Sequence, residues 1–249
     1  MRDMIIPDAV HALDRELRGI FGARLQSLSI YGGRTDAGAQ AHAASAAHGH
    51  DGPPTQTLAV VDSLTQEDLR GCARHVEAWH DAGLATPLLI AERELERSLD
   101  AFPLELGAIL ADHVVVSGGN PFASLAVDAA DMRRACEVQA RSHLLHLREG
   151  FLETRGRADA LAVLIVQSAG AFAALVSSIA RLEGHTSSDA AAAARHVERI
   201  LNLPGGPVTE VTKLVGVREI ASADAERLFP SYLDAVERLV TYVDGWSSR

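Results

Sequence analysis

The chain has 249 residues, a length that suits one large domain or two small ones. Hydrophobic residues make up 47% of the chain and charged residues 22%, as is ordinary for a soluble globular protein. The net charge is −10 and the basic residues form no dense run. We therefore do not expect nucleic acid, whose phosphates require a basic surface, as a partner.

The first elements follow from the spacing of apolar residues. Residues 7–21 are predicted to form a helix, because apolar residues recur three and four positions apart: Val10, Leu13, Leu17 and Ile20. Residues 25–31 alternate apolar and polar side chains, which predicts a strand closed by Gly32-Gly33. Residues 34–54 are rich in Ala, Gly, His and Ser and predict a mobile loop. The apolar run 57–62 is typical of a buried strand.

Strands and helices interleave in the rest of the first half. Residues 65–82 are predicted to be helical, since the sequence from Thr65 to Asp68 resembles a capping box. Further elements are predicted over residues 87–91 (strand), 92–98 (short helix), 104–110 (strand) and 114–116 (short apolar segment). This order indicates an α/β or α+β domain.

The second half shows helical periods and no convincing strand. Helices are predicted over residues 129–155, 158–183, 188–202, 208–218 and 222–245. The natural solution is an antiparallel bundle. We therefore predict an α+β protein with two domains, a mixed-sheet domain over residues 1–125 and an all-helical bundle over residues 126–249.

Three features of the sequence bear on the cellular location. Residues 160–180 carry no charge and are long enough to span a membrane, but Ala and Ser residues dilute their hydropathy, which favours the central helix of a bundle. Cys72 and Cys136 stand among apolar neighbours and are predicted to be buried, reduced thiols. The first twenty residues lack the pattern of a signal peptide. We expect a cytoplasmic protein with no membrane partner.

Several stretches together carry a family resemblance. A strand, a Gly-Gly turn, a loop and a second strand ending in Val60-Val61-Asp62 are followed by Leu64-Thr65-Gln66-Glu67-Asp68-Leu69. Residues 94–105, 113–121 and 144–153 add to the likeness. The chain resembles the nucleotidyltransferase fold of the DNA polymerase β superfamily, and in particular bacterial members with a helical C-terminal half. Kanamycin nucleotidyltransferase is a more distant similar protein of the same two-domain plan.

This resemblance implies where a nucleotide site would lie. In the superfamily, a Gly-Ser turn holds the phosphates, two Asp residues one residue apart bind Mg²⁺, and a later strand supplies a third acid. The turn corresponds here to Gly32 and Gly33, followed by Arg34 as a basic residue. The paired Asp positions hold Thr55 and Thr57, and Glu105 would mark the strand with the third acid.

The two threonines argue against catalysis. A neutral hydroxyl is a poor Mg²⁺ ligand compared with a carboxylate, and nucleotidyl transfer relies on metal ions to neutralise charge. We therefore predict no bound metal or cofactor, with Mg²⁺ required only if the chain is active. Asp51 and Asp62 are the nearest acids that could substitute, but a register shifted to Asp51 is disfavoured by the Gly52-Pro53-Pro54 break.

The histidines suggest two further hypotheses. His42, His48, His50 and Asp51 lie close together and could bind zinc, although their spacing matches no compact site, so a disordered loop is favoured. His143 and His146 are three residues apart on a predicted helix and could share a face. We predict that both lie on the helix surface or at an interface.

Three functions remain open from the sequence. The first is a degenerate nucleotidyltransferase-like protein that binds a nucleotide or a protein partner without transfer. The second is an active Mg²⁺-dependent nucleotidyltransferase that modifies a small hydroxylated molecule with relocated acids. The third is a structural or assembly role as a homodimer through the helical half, suggested by the small residues of segment 160–180.

Overall fold

The structure is a computed structural model that describes residues 6–32, 54–185 and 189–247. It begins with helix α1 (Asp8–Phe21), which leads into strand β1 (Leu25–Tyr31). The apolar side of α1 is buried on the sheet, as the spacing of its leucines predicts.

Four strands form one mixed sheet. The others are β2 (Gln56–Val61), β3 (Leu88–Ala91) and β4 (His113–Gly118), and the strand order is β3-β2-β1-β4. Strand β1 is antiparallel to both β2 and β4, whereas β2 and β3 are parallel. The predicted mixed sheet and α+β class are confirmed.

Both faces of the sheet are covered. On one face Leu28 and Ile30 pack in a core with α1, and on the other Leu58 and Val60 pack in a second core that includes Phe122. Every residue of β2 is buried for this reason. Its continuous apolar run, rather than an alternating pattern, is what a strand covered on both sides requires.

The helix predicted over residues 65–82 is two helices, α2 (Gln66–Ala73) and α3 (Val76–Asp81). The chain tightens between them, where the backbone N–H of His75 donates to the carbonyl of Cys72 at 2.9 Å. The predicted capping box at the start of α2 is confirmed.

The predicted strand over residues 104–110 is wrong. These residues belong to helix α5 (Pro103–Ala111), which follows the short helix α4 (Glu92–Leu95). Proline is favoured in the first turn of a helix, and Leu106 and Ile109, three residues apart, both enter the core beside β2. The fourth strand is instead β4, at the segment that the sequence showed only as a short apolar piece.

Five helices follow the sheet: α6 (Ala129–Glu153), α7 (Ala158–Leu182), α8 (Ala190–Ile200), α9 (Pro207–Thr212) and α10 (Ser222–Asp244). They match the predicted helices except that α9 is shorter than the predicted segment 208–218. Their buried residues form one core, which differs from the two cores beside the sheet. The division into domains between residues 125 and 126 stays a prediction.

Helix α7 is long and apolar enough to cross a membrane by length and composition, and half of its most apolar window is buried inside the protein. It packs against α6, α8 and α10. The prediction of a central core helix holds for its C-terminal part, where Leu175 to Ala180 are all buried. Its N-terminal part keeps an exposed side with Val163.

Candidate nucleotide site

One end of the sheet gathers the positions that the sequence singled out. Tyr31, the last residue of β1, pairs with Gln56, so Gly32 and Thr55 lie next to one another at the same end. Gly32 has a φ of +66°, which suits glycine, and its N–H donates to the carbonyl of Asp112 at 3.4 Å. Gly32 is thus in a left-handed conformation at the end of β1, and Gly33, the second residue of the predicted turn, lies outside the described residues.

Thr55 is held by its backbone. Its N–H donates to the carbonyl of Gly83 at 2.9 Å, and its own carbonyl accepts from the N–H of Ala85 at 3.0 Å. Residues two apart on a strand face the same side, so the side chains of Thr55 and Thr57 share one side of β2. Two neutral hydroxyl side chains therefore share one side of β2, at the positions where the family resemblance implies paired acids.

Thr57 is the more informative of the two positions. Its side chain is 1% exposed, and its hydroxyl has no hydrogen-bond partner among the described residues. It pairs across the sheet with Ile30, whose side chain belongs to the core beneath α1. A hydroxyl at this depth has neither the charge nor the access to solvent that a Mg²⁺ ligand needs.

The acids proposed as substitutes lie elsewhere. Asp62 is exposed at the far end of β2 and accepts from Gln26 Nε2 at 3.0 Å. It is seven positions along the chain from Thr55, or about 23 Å at the rise of an extended strand. Glu105, predicted on a strand, lies in the first turn of α5 and is exposed. Its assignment as the third strand acid is therefore wrong.

The other residues that the sequence singled out fall outside the described part of the chain. They are Gly33, Arg34, His42, His48, His50 and Asp51. Within residues 6–32, 54–185 and 189–247, no group of three or more His, Cys, Asp or Glu side chains is arranged to hold a metal ion. The described residues therefore do not fit the Mg²⁺ site that the family resemblance implies.

Sequence reasoning missed polar residues at the start of β4. Asp112, only 9% exposed, directly precedes this strand, and His113 pairs with Tyr31. His113 Nδ1 donates to the carbonyl of Ile109 at 3.0 Å, because a carbonyl oxygen can only accept. Burial raises the pKa of Tyr31. Recognising residues 113–118 as the strand would have brought these side chains to the site.

The two histidines of α6 differ in burial. His146 is exposed, but His143 is buried, and its Nε2 lies 2.7 Å from the hydroxyl of Tyr232. The prediction that both lie on the surface or at an interface is wrong for His143, because it shares the buried side of α6 with Ala140 and Leu147, three and four residues away. Burial lowers the pKa of His143 to about 4, so this imidazole is neutral at pH 7.

No known protein-family model matches the sequence, and no curated protein matches it. The structure is similar to the crystal structure of spectinomycin adenyltransferase AAD(9) from Enterococcus faecialis with ATP and spectinomycin. The TM-score is 0.56 and the sequence identity is 11%, over 93% of this chain and 98% of that chain. That protein is a nucleotidyltransferase of the DNA polymerase β superfamily. This chain has a nucleotidyltransferase-like fold.

The likeness of this nucleotidyltransferase-fold protein to the adenyltransferase covers both the sheet and the helices that follow it. At such low identity it shows the fold and not the chemistry. What the site can do therefore rests on its own residues. These are a glycine turn, two neutral threonines and the polar side chains at the start of β4.

Proposed function

We propose that this nucleotidyltransferase-fold protein binds a nucleotide or a protein partner without transferring a nucleotidyl group. The observation that supports this proposal is Thr57, a neutral and buried side chain at a position where the family resemblance implies a metal-binding acid. Nucleotidyl transfer requires metal ions that neutralise the phosphates, usually held by carboxylates. A site with two threonines at the paired positions lacks that negative charge.

Binding of a nucleotide needs less than transfer does. Backbone N–H groups in a glycine turn attract phosphate oxygens without any carboxylate or metal. The N–H of Gly32 already donates to the carbonyl of Asp112, so the donors for a phosphate would come from the residues that follow Gly32. ATP is the first ligand to try because the similar adenyltransferase was solved with it. We expect the affinity for nucleotide to be independent of Mg²⁺.

Calorimetry with ATP, GTP, CTP and UTP, each in Mg²⁺ and in EDTA, tests the proposal. Equal affinity in both buffers is the expected result. Binding that appears only with Mg²⁺ would contradict it, since it would indicate that carboxylates at other positions rebuild a metal site. No binding of any nucleotide would leave a protein partner as the ligand.

A pair of matched variants locates the site. Gly32→Ala places a side chain at a φ of +66° in the turn, and we expect it to weaken nucleotide binding at least about tenfold. Gly156→Ala imposes the same kind of strain, at a φ of +75°, in the turn between α6 and α7. Binding should survive in the control. Equal loss in both variants would indicate an effect of stability alone.

An active nucleotidyltransferase is the second candidate. Asp112, a nearly buried carboxylate at the same end of the sheet, is the specific observation in its favour. Incubation with ATP, Mg²⁺ and spectinomycin, or an aminoglycoside, followed by mass spectrometry would detect an adenylylated product. Its formation, and its loss in Asp112→Asn, would overturn the proposal of a degenerate site.

The other expectations from composition stay predictions. They are a cytoplasmic location and the absence of nucleic acid and membrane partners. A pull-down of the full chain from cell extract with and without ribonuclease treatment would test the first of these partners.

A further inference from the structure

Two histidines pack against each other just beyond the end of α7, where the chain faces α8. The ring centroids of His185 and His196 are 4.9 Å apart and the ring planes are inclined by 21°. The Nε2 atom of each ring is shielded from solvent and has no hydrogen-bond partner among the described residues. We call His185 and His196 the histidine pair.

A guanidinium lies against one ring of the histidine pair. Arg199 Nη2 is 3.4 Å from His196 Nδ1. Because a guanidinium can only donate, this contact requires an Nδ1 atom without a proton. A second proton on the ring would therefore break the contact and would set a positive charge against that of Arg199.

The nearest acid is engaged elsewhere. Glu183 accepts from the hydroxyl of Tyr242 on α10 and, at 2.6 Å, from Trp246 Nε1 just after that helix. Its charge still acts on His196 from a distance. Among the described residues, the charged and titratable groups that act on His196 are His185 and Glu183 from the end of α7 and Arg199 from α8.

These surroundings favour a neutral ring. Burial lowers the pKa of His196 from its usual 6.5, and His185 and Arg199 lower it further, against the opposing effect of Glu183. A group whose pKa is lower in the packed state than in the open state stabilises packing above its usual pKa and loses this contribution as the pH falls. The contact between α7 and α8 should therefore weaken in acid.

The N-terminal half of α8 has few other contacts to hold it. Its buried side chains are Ala193 and Ala194, whose methyl groups bury little apolar area. The C-terminal half is held more firmly, by Val197 in the bundle core and by Glu198 Oε1, which accepts from the N–H of Thr209 at 2.7 Å. A local opening would therefore involve the first half of the helix alone.

We propose that the histidine pair is an acid-sensitive switch that releases the N-terminal half of α8 from α7. Above about pH 6.5 the neutral rings pack together and hold the junction closed. As the pH falls, protons bind to the rings, which then repel each other and Arg199. Residues 190–196 detach while Val197 stays in the core, and the ring nitrogens gain water as a partner.

The switch acts on a cavity of about 850 Å³ beside α8. The half of the helix that is released contributes Ala192 and Arg195 to its lining, and His185 and Arg199 line it as well. A cavity of this size accommodates a small molecule, so acid would change a space that a ligand could occupy. This inference is independent of whether the site at the sheet binds a nucleotide.

Hydrogen exchange of the full chain at pH 7.5 and 5.5, corrected for the intrinsic exchange rate, tests the switch. At pH 5.5 a free imidazole is about 90% protonated, so one histidine can raise the opening constant by up to about tenfold. We expect protection of amides 193–196 to fall at least about threefold, and that of amides 175–180 in α7 to change less. Equal loss in both segments, or unchanged protection in α8, would overturn the proposal.

A matched pair of variants assigns the effect to one ring. His196→Phe keeps an aromatic ring against His185 but binds no proton, so α8 should lose most of its pH dependence. His146→Phe removes an exposed histidine of α6 and should leave the dependence intact. Loss of the dependence in both variants, or in neither, would contradict the assignment.

Arg199→Gln tests the electrostatic part without changing either ring. Removal of the positive charge should raise the pKa of His196, so the fall in protection between pH 7.5 and 5.5 should shrink. Arg238→Gln, which removes an arginine of α10 that lies 3.0 Å from Asp234, is the control and should behave as the wild type. A nuclear magnetic resonance titration of the His196 ring measures the pKa directly. The same pKa in the wild type and in Arg199→Gln would overturn the switch.

Discussion

In the part of the chain that the structure describes, buried Ser and Thr hydroxyls have hydrogen-bond partners in the helical bundle that those in the sheet lack. In the bundle, Thr212 Oγ1 donates to the carbonyl of Val208 and Ser178 Oγ donates to the carbonyl of Ala174, both at 2.9 Å. In the sheet, three buried hydroxyls have no hydrogen-bond partner among the described residues: Ser27, Ser29 and Thr57.

The difference follows from the backbone. A helix presents a carbonyl one turn back, within reach of a Ser or Thr hydroxyl, whereas the carbonyls of a central strand are already used by the ladder. The rule applies to short side chains, since three longer groups near α7 and α8 are also unpartnered within the described part of the chain: Arg181 Nε, His185 Nε2 and His196 Nε2. The comparison implies that the sheet tolerates little further buried polarity. Four predictions test how the sheet and the bundle hold their buried polar groups.

The largest effect is expected at Thr57. Thr57→Asp buries an unpaired carboxylate and should lower the free energy of unfolding by about 3–5 kcal/mol at neutral pH. Burial raises the pKa of such a carboxylate in the folded state, so the loss should grow as pH rises above the unfolded value of about 4. Urea unfolding at several pH values measures it.

Thr57→Asn is the control, because it is similar in size and carries no charge, and its effect should not depend on pH. Adding Mg²⁺ should leave Thr57→Asp as unstable as before. Recovery of stability with Mg²⁺ would show that this position still faces a metal site, and it would favour the active enzyme.

The next effect is a pH dependence in the bundle. The pKa of His143 is lowered from 6.5 to about 4 in the folded protein, mainly by burial. Between these values the unfolded chain binds the proton more strongly, so stability is complete above pH 6.5 and is lost as pH falls toward 4. The loss is on the order of 3 kcal/mol. In His143→Gln this part of the pH profile should disappear, and an unchanged profile would contradict the assignment.

A smaller effect is expected when the hydroxyl of Tyr232, which hydrogen-bonds to His143, is removed. Tyr232 OH lies 2.7 Å from His143 Nε2 and 3.1 Å from Ser168 Oγ. Tyr232→Phe leaves a buried imidazole nitrogen unpaired and should cost about 1–3 kcal/mol in thermal or urea unfolding. The hydroxyl of Tyr242 donates to Glu183 Oε1, which also accepts from Trp246 Nε1 at 2.6 Å. Tyr242→Phe should therefore cost less, because Glu183 keeps its hydrogen bond from Trp246.

The smallest effect has the opposite sign in the two regions. Thr57→Val removes a buried hydroxyl that has no described partner, so it should stabilise the protein by about 1 kcal/mol. Thr212→Val removes a hydroxyl that is bonded to Val208 and should destabilise it by up to about 1 kcal/mol. If Thr57→Val is destabilising, the hydroxyl has a partner outside the described residues.

Much of the candidate site followed from local sequence. The turn at Gly32 and the positions of Thr55 and Thr57 were predicted because a glycine pair and a strand start are local signals. Glu105 was misplaced, since the apolar residues from 104 to 110 fit either period and only contact with β2 and α6 selects the helix. Asp112 and His113 were missed because their strand was too short to recognise alone.

By itself, the sequence determined the order of elements and the α+β class, because hydrophobic periodicity and glycine breaks act over a few residues. It also determined that neutral side chains stand where the family resemblance implies acids. The tertiary structure decided which of two histidines is buried, how deeply Thr57 lies and where Asp62 stands relative to it. These depend on contacts between residues far apart in the chain, and no local pattern records such contacts.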